Sequence, residues 1–283
     1  MKYALTTIIA ILSTAWISNA ATISPASFCL DEFDIGMNMD LGIDFAMSNV
    51  TNSGPIDIKS EKPLADKVIQ GYIPIPDPSW FYFLNSQIVP GKDGVAKARM
   101  FFKVPHEQKY LNQHWVVHVG AKPPPTGVFA MKMFGVYMIE TRASRNIKSR
   151  PYGKLGVVPS RVYAKNIIPM KKISKTLKLY NNDTQSHTYL ISIRTFDPSQ
   201  YNNLRISQAK GYEWVKDAQW VSPESNSVTI KAGGQKEIRL WVTVPKKIQY
   251  QHSGWEAIVM VSSQKNGGPS GFARLLISFP EGK

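Results

Sequence analysis

The sequence predicts an all-β protein built from two tandem β-sandwich domains. Three features predict this fold class: an internal repeat, short segments in which apolar and polar residues alternate, and turn residues at frequent intervals. The 283 residues, of which 43% are hydrophobic and 19% charged, are typical of a globular chain of one or two domains. Beyond the apolar start of the chain, no segment keeps helical periodicity for three turns.

The internal repeat is the strongest signal. Residues of the same type coincide when the chain is compared with itself at an offset of 140 residues. The coinciding residues are Gly71 and Gly211, Tyr72 and Tyr212, Asp77 and Asp217, Trp80 and Trp220, Gly94 and Gly234, Arg99 and Arg239, Val104-Pro105 and Val244-Pro245, Tyr110 and Tyr250, and Trp115 and Trp255. Further upstream the offset is 133, so the second copy carries a seven-residue insertion, which its loop composition places around 196–203.

Within both copies, period-two alternation predicts half-buried strands whose inward faces are equivalent. The residues predicted to be buried are Met100, Phe102, Leu240 and Val242, and those predicted to be exposed are Lys97, Arg99 and Glu237. Proline, glycine and asparagine separate such segments, as in 122–127 and 266–269. Short strands with turns between them, in copies of about 120 to 140 residues, are typical of immunoglobulin-like β-sandwiches.

The predicted domain organisation has four parts. An apolar stretch after Lys2 that ends in Ser18-Asn19-Ala20 predicts a secretory signal peptide. The parts are the signal peptide over 1–20, the first sandwich over 21–142, a basic connector over 143–156 and the second sandwich over 157–283. The signal peptide predicts a periplasmic or secreted protein, and no later segment is long and apolar enough to form a transmembrane helix.

The tryptophans divide into two groups. Trp80, Trp115, Trp220 and Trp255 recur in both copies, which predicts core positions between the sheets. Trp214 and Trp241 occur in the second copy alone, and Trp241 falls on the outward phase of its strand. These two residues are therefore candidates for contact with a sugar or a protein partner.

The order of these features resembles bacterial extracytoplasmic immunoglobulin-like modules. Each copy has an Asn-x-Thr turn, at Asn49 and Asn182, then a tryptophan, then a strand that ends in Val-Pro. The layout is similar to that of the two-domain periplasmic pilus-assembly chaperones, which use an arginine and a lysine in the inter-domain cleft to hold a subunit's terminal carboxylate. The resemblance implies a chaperone-like assembly function, and neither of those two residues is matched to a position here.

The sequence contains no motif for catalysis, a cofactor or a metal ion. On one strand, His114 and His118 would lie about 13 Å apart, too far to share an ion. The nucleophile elbow, phosphate loop, dinucleotide fingerprint and zinc-protease motif are absent. Cys29 is the single cysteine, expected as a free thiol or in an intermolecular disulfide. We therefore predict no enzyme activity, no cofactor and no catalytic or metal-binding residues.

Charge is distributed unevenly in a chain whose net charge is +14. Residues 21–58 carry six acids and no base, whereas 141–182 carry eleven bases and no acid. Nucleic acid is a poor partner for an exported protein, so the basic segment predicts an acidic protein surface or an anionic glycan as its target. In the alternative interpretation, the basic segment is merely solvated and the acidic segment neutralises it.

Two functions follow from these features, and the sequence leaves both open. The first is an exported, non-enzymatic protein-interaction or assembly module of the cell envelope, chaperone-like, whose partner is another envelope or surface protein. The second is an anionic-glycan or surface-binding module. The candidate interaction surface comprises Arg142, Arg145, Lys148, Arg150, Lys154, Lys171, Lys172, Lys175, Trp214 and Trp241.

Overall fold

A computed structural model describes residues 21–50, 54–124, 132–195, 206–246 and 254–280, which form twenty β-strands. The predicted signal peptide, the insertion around 196–203 and Tyr250 lie outside these residues. The strands of the first half are β1 (Thr22–Ser24), β2 (Ser27–Phe33), β3 (Asn38–Ser48), β4 (Ile56–Glu61), β5 (Ile73–Pro74), β6 (Phe81–Phe83), β7 (Gln87–Ile88), β8 (Ala96–Lys103), β9 (His114–Lys122) and β10 (Met133–Thr141). Those of the second half are β11 (Leu155–Val158), β12 (Arg161–Ala164), β13 (Ile173–Asn181), β14 (His187–Arg194), β15 (Glu213–Trp214), β16 (Val221–Pro223), β17 (Ser227–Ile230), β18 (Gln235–Val242), β19 (Trp255–Ser263) and β20 (Ser270–Ile277). Short 3-10 turns cover Ala65–Lys67, Pro78–Trp80, Gln108–Tyr110 and Ala218–Trp220.

Both halves of the chain form a two-sheet sandwich, and the strand order is the same in each. In the first half, sheet β1-β3-β8-β6 packs on sheet β2-β10-β9-β4-β7. In the second half, sheet β11-β13-β18-β16 packs on sheet β12-β20-β19-β14-β17. β5 and β15 add in parallel to β9 and β19. The predicted fold class, two tandem β-sandwiches, is confirmed.

The first strand of each sandwich is divided between the two sheets. β1 pairs antiparallel with β3, and after Pro25 the chain continues as β2, which pairs in parallel with β10. In the same way β11 pairs with β13, and after Pro159 the chain continues as β12, which pairs with β20. Proline suits this crossing because it cannot donate a hydrogen bond to a continuing ladder. One consequence is that β2 and β12 cover the edges of β10 and β20.

The predicted strand phase is confirmed in both cores. Met100, Phe102, Leu240 and Val242 are fully buried, and Lys97 and Glu237 are exposed. Arg99 is half-exposed instead of fully exposed, because its guanidinium folds back onto β3. Its Nε lies 2.7 Å from an Asp40 carboxylate oxygen, and its Nη1 lies 3.4 Å from Asp44.

The repeated tryptophans occupy matching core positions. Trp80 and Trp220 each end a 3-10 turn that is capped by an aspartate, Asp77 or Asp217, whose side chain accepts a hydrogen bond from the backbone N–H two residues later. The Trp80 ring lies 5.6 Å from that of Trp115, and the Trp220 ring lies 5.4 Å from that of Trp255. Because all four are buried, the prediction of core positions is confirmed.

Between the sandwiches, residues 142–154 hold no strand, and β11 begins at Leu155, inside the predicted connector. The connector is held to the second sandwich by Arg150. Its Nε donates to the Asn182 side chain at 2.7 Å, and its Nη2 donates to the Gly234 carbonyl at 2.9 Å. The guanidinium also lies 5.3 Å from the centre of the Tyr180 ring. The connector therefore lies along the second sandwich in a fixed position.

Candidate functional site

The two sandwiches pack against each other through the outer faces of their larger sheets, a contact that we call the joint. Val116 on β9 and Met138 on β10 share one buried apolar cluster with Ile258 and Met260 on β19 and Phe272 on β20. Burying this apolar surface stabilises one orientation of the sandwiches.

At the centre of the joint, Arg274 on β20 is enclosed by carboxylates from both sandwiches. Its Nε and Nη2 donate to the two Glu140 oxygens at 2.6 Å each, a bidentate pair. Its Nη1 donates to Glu256 and, at 2.8 Å, to the Ser207 carbonyl. The Tyr72 hydroxyl donates to Glu140 at 2.7 Å. The buried guanidinium is therefore paired and hydrogen-bonded by the chain itself.

A second arginine, Arg161 on β12, crosses the joint nearer the surface. It donates to Asp31, lies 3.4 Å from Glu32 and is 3.8 Å from Glu140. The Tyr163 hydroxyl donates to Glu32 at 3.2 Å. Acids of the predicted acidic segment thus neutralise an arginine of the basic segment across the joint.

The ionisation of the joint follows from burial and these partners. Against the effect of burial, hydrogen bonds from Arg274 and the neighbouring charge of His114 lower the pKa of Glu140 to about 2. Burial lowers the pKa of His114, which stacks on Phe272 with ring centres 3.7 Å apart, to about 4. Burial likewise raises the pKa of the Cys29 thiol to about 12, so the thiol remains protonated at neutral pH.

These pairings limit what the joint can bind. Holding a partner's terminal carboxylate requires cations without a carboxylate partner, and Arg274 and Arg161 are both paired with acids of the first sandwich. Sequence reasoning missed this network because Arg274 and Glu140 are 134 residues apart. No local pattern marks either of them as a partner of the other.

The predicted interaction residues do not form one surface in the structure. Arg142 pairs with Asp34 at 2.9 Å, and Lys154 pairs with Asp183 at 3.3 Å. Trp214 is half-buried against the apolar cluster of the joint. Together with Arg150, these residues serve contacts within the chain.

Among the remaining candidates, Arg145, Lys148 and Trp241 border one side of the second sandwich. We call this the basic face, and it comprises the outward side of β13 and β18 and the bordering segment 145–148. A groove of about 490 Å³ on this face is lined by Arg145, Lys148, Lys178, Tyr180 and Glu237, among others. Within the described part of the chain, neither Arg145, Lys148 nor Lys178 has a carboxylate within ion-pair distance.

Of Lys175 and Trp241, only Trp241 belongs to the basic face. Lys175 shares the inward phase of Ile173, and burial together with the charge of Arg145 lowers its pKa. Trp241 points outward, as predicted, and its ring centre lies 4.4 Å from the Lys172 Nζ and 5.5 Å from the Arg239 Cζ. A half-exposed indole with cations on it can contact both apolar and anionic groups.

An Asp–His–Ser chain was not anticipated from the sequence. The buried His187 hydrogen-bonds Asp183 through Nε2 at 3.2 Å and Ser263 through Nδ1 at 3.0 Å. The Ser263 hydroxyl also accepts the Lys265 N–H, and a Cβ added at Gly268 would lie 2.6 Å from it. The Ser263 hydroxyl is thus engaged by both His187 and the Lys265 N–H, and the chain of hydrogen bonds joins two hairpins.

Two further properties concern metals and membranes. In the parts of the chain that the structure describes, no three His, Cys, Asp or Glu side chains are placed to hold a metal ion. No helix among those residues is long and apolar enough to cross a bilayer.

No family model matches the sequence, and no curated protein matches it significantly. Among solved structures, the chain is similar to a protein of unknown function from Porphyromonas gingivalis W83, with 10% identity and a TM-score of 0.33, over 92% of this chain and 99% of that one. It is similar to the periplasmic chaperone SfaE, with 10% identity and a TM-score of 0.29, over 92% and 100% of the two chains. It is also similar to the class 5 fimbriae chaperone CfaA, with 11% identity and a TM-score of 0.30, over 90% and 99%. At these identities and TM-scores the similarities support no statement about the function of this chain.

Proposed function

We propose that the chain is an exported, non-enzymatic protein-interaction or assembly module of the cell envelope, which binds an acidic partner through the basic face. The observation that carries this proposal is the groove between segment 145–148 and the outward side of β13 and β18. It holds three cations without an ion-pair partner among the described residues, beside one acid, Glu237. Cations left without a partner attract an anionic surface over several ångströms.

The fixed position of the connector supports this proposal. Arg150 fastens the connector to Asn182 and Gly234, and the Gln108 side chain accepts a hydrogen bond from the Lys148 backbone N–H at 2.7 Å. The Ser144 N–H also donates to the Asn112 side chain at 2.9 Å, so the backbone that carries Arg145 and Lys148 is held in place before a partner arrives. Such preorganisation reduces the entropy that binding must overcome.

An anionic glycan is the second candidate partner, and Trp241 is the observation that favours it. A half-exposed indole beside Lys172 and Arg239 can stack on a sugar ring while the cations contact a carboxylate of the same sugar. Binding of an acidic protein surface would depend on the cations of the basic face and less on the Trp241 indole.

Titration of the purified chain with a poly-glutamate peptide and with polygalacturonate tests both candidates. Arg145→Gln combined with Lys148→Gln is expected to weaken binding of the preferred probe about tenfold, mainly through slower association. Added salt is expected to weaken binding steeply, because screening acts over about 8 Å at physiological ionic strength. Lys97→Gln combined with Lys103→Gln, on the first sandwich, is the matched control and is expected to change little.

Trp241→Ala separates the two partners, since it is expected to weaken polygalacturonate binding and to leave poly-glutamate binding nearly unchanged. Equal affinities for the groove variant and its control would contradict the proposal.

A further inference from the structure

A second exposed feature of the second sandwich is the loop between β12 and β13. Ile168 and Met170 project from this loop, and their side chains are 55% and 64% exposed. The loop itself is well anchored, because Ile167 is buried and the Met170 N–H donates to the Val244 carbonyl at 2.8 Å. The apolar side chains are thus displayed on a fixed support.

The equivalent loop of the first sandwich shows what the fold alone requires. There Gly36 makes the same hydrogen bond, to the Val104 carbonyl at 2.8 Å, and has a φ of +82°. Met170 adopts a φ of +66°, a conformation that suits glycine and is costly for a longer side chain. Because the Met170 side chain is mostly exposed, burial does not offset this cost. Stability therefore does not explain a methionine at this position.

Lysines flank the two apolar side chains along the chain, and Lys246 closely follows Val244, whose carbonyl accepts the Met170 N–H. Lys165, Lys171, Lys172 and Lys246 are exposed, and Lys172 lies over the half-buried Trp241. We call residues 165–172, with Trp241 and Lys246, the lysine tip.

In the first sandwich the positions of Ile168, Lys171 and Lys172 are taken by Asp34, Met37 and Asn38. The combination of apolar and cationic groups is thus specific to the second sandwich.

The chemistry of the lysine tip favours a lipid surface over a protein. Interfaces between proteins are enriched in arginine and depleted in lysine, and this tip carries four exposed lysines with one arginine, Arg239, beside Trp241. Lysines near a bilayer attract anionic headgroups, exposed aliphatic side chains enter the headgroup region, and tryptophan favours the same depth.

We propose that the lysine tip docks the chain on an anionic lipid surface, with Ile168 and Met170 in the headgroup region and the lysines on phosphates. This inference goes beyond the proposed function and does not depend on the groove at Arg145 and Lys148, which is formed by other residues. It shares Trp241 and Lys172 with the glycan candidate alone.

Co-sedimentation of the purified chain with vesicles tests the inference. Binding is expected to vesicles that contain phosphatidylglycerol and not to vesicles of phosphatidylcholine alone. Lys171→Gln combined with Lys172→Gln is expected to lower binding about 20-fold to 30-fold. Ile168→Ser combined with Met170→Gly is expected to lower it at least about tenfold, without loss of folding, since glycine suits the backbone at position 170. Met37→Ser, on the other sandwich, is the control and is expected to bind as the unaltered chain does.

Entry of position 170 into the headgroup region is measured separately, with a fluorophore whose emission depends on the polarity of its surroundings. In a Cys29→Ala background, a label on Met170→Cys is expected to shift to the blue on anionic vesicles, whereas a label on Met37→Cys is not. Equal binding to both vesicle types, no loss in either double variant, or no shift at position 170 would each overturn the inference. Loss of poly-glutamate binding in the groove variant with vesicle binding intact would show that the two surfaces act separately.

Discussion

The outer faces of the two smaller sheets share a backbone and differ in charge. On the first sandwich, Asp44 lies opposite Arg99, whereas on the second, Thr176 lies opposite Arg239. At the next outward-facing position of β8, Phe101 lies opposite Asp40. The equivalent pair on the second sandwich is Trp241 opposite Ser174. The first sandwich therefore pairs its arginine with two carboxylates of β3. The second has hydroxyls at the equivalent positions of β13, and Arg239 has one exposed carboxylate, Glu224, at 3.7 Å.

The aromatic residues on the two outer faces, Phe101 and Trp241, also differ in how far neighbouring side chains cover them. Phe101 stacks on Tyr82 at 5.4 Å, while the residue paired with Trp241 on the neighbouring edge strand is Ser222. One face thus has its arginine paired with two carboxylates and its aromatic ring covered, and the other is more open and more cationic. Positions that the two copies share identify what the fold requires. Positions at which they differ identify what the second copy adds, and the proposed binding surfaces lie there.

Truncation of a core side chain is expected to have the largest effect on the free energy of unfolding. The core consists of inward positions that are equivalent in the two sandwiches. Phe102→Ala is expected to lower the free energy of unfolding by about 3 to 5 kcal/mol, because it leaves a cavity between the sheets. Val242→Ala, at the equivalent inward position, removes fewer atoms and is expected to cost less. Urea denaturation followed by tryptophan fluorescence measures both. A loss below about 1 kcal/mol for Phe102→Ala would show that the strand phase is wrong.

The joint provides the next effect, and it depends on pH. His114 has a pKa of about 4 in the folded chain against an ordinary 6.5, so the unfolded chain takes up the proton first as pH falls. Stability contributed by neutral His114 is therefore complete above pH 6.5 and is lost as pH falls toward 4. The loss is about 3 kcal/mol.

Denaturation at pH 7 and pH 4 checks this expectation. His114→Gln is expected to remove most of the difference in stability between the two pH values, and His106→Gln, on the surface, is expected to preserve it. An unchanged difference in His114→Gln would contradict the assignment to His114.

The smallest effect concerns the two equivalent loops. Met170→Gly is expected to raise stability by about 0.5 to 1 kcal/mol, because it removes a side chain from a left-handed backbone. Gly36→Ala is expected to lower stability, since its Cβ would lie 2.6 Å from the His106 Nδ1 at a φ of +82°. Thermal denaturation of both variants gives the comparison. A destabilised Met170→Gly would mean that Met170 contributes to folding after all.

The sequence could predict the features that repeat. Recurrence of Trp80 as Trp220, and of the alternation around Phe102, follows from local pattern and is confirmed. The inward phase of Lys175 could also have been read from the sequence, since it lies two residues from both Ile173 and Leu177 and therefore shares their face of the strand. The division of the first strand between two sheets was not, because pairing partners of edge strands leave no local signal.

The joint could not be predicted for a different reason. The position of Arg274 on β20 corresponds, in strand register, to that of Val136 on β10 of the first sandwich, so the repeat places an aliphatic residue there. Its partner Glu140 is on the other sandwich, so neither the repeat nor local spacing pairs them. The placement of Trp214 against the joint depends on the same packing of one sandwich on the other.

The central claim is that the open, cationic face of the second sandwich binds an acidic partner. Titration with poly-glutamate of a variant that carries the first sandwich's acids, Ser174→Asp with Thr176→Asp, tests it most directly. Both positions are exposed, so the fold is expected to be unaffected. This variant is expected to bind at least about tenfold more weakly, while Leu84→Asp with Asn85→Asp, the same charge added to the first sandwich, is expected to change binding little. Equal affinities of the two variants would contradict it, since binding would then depend on net charge and not on this face.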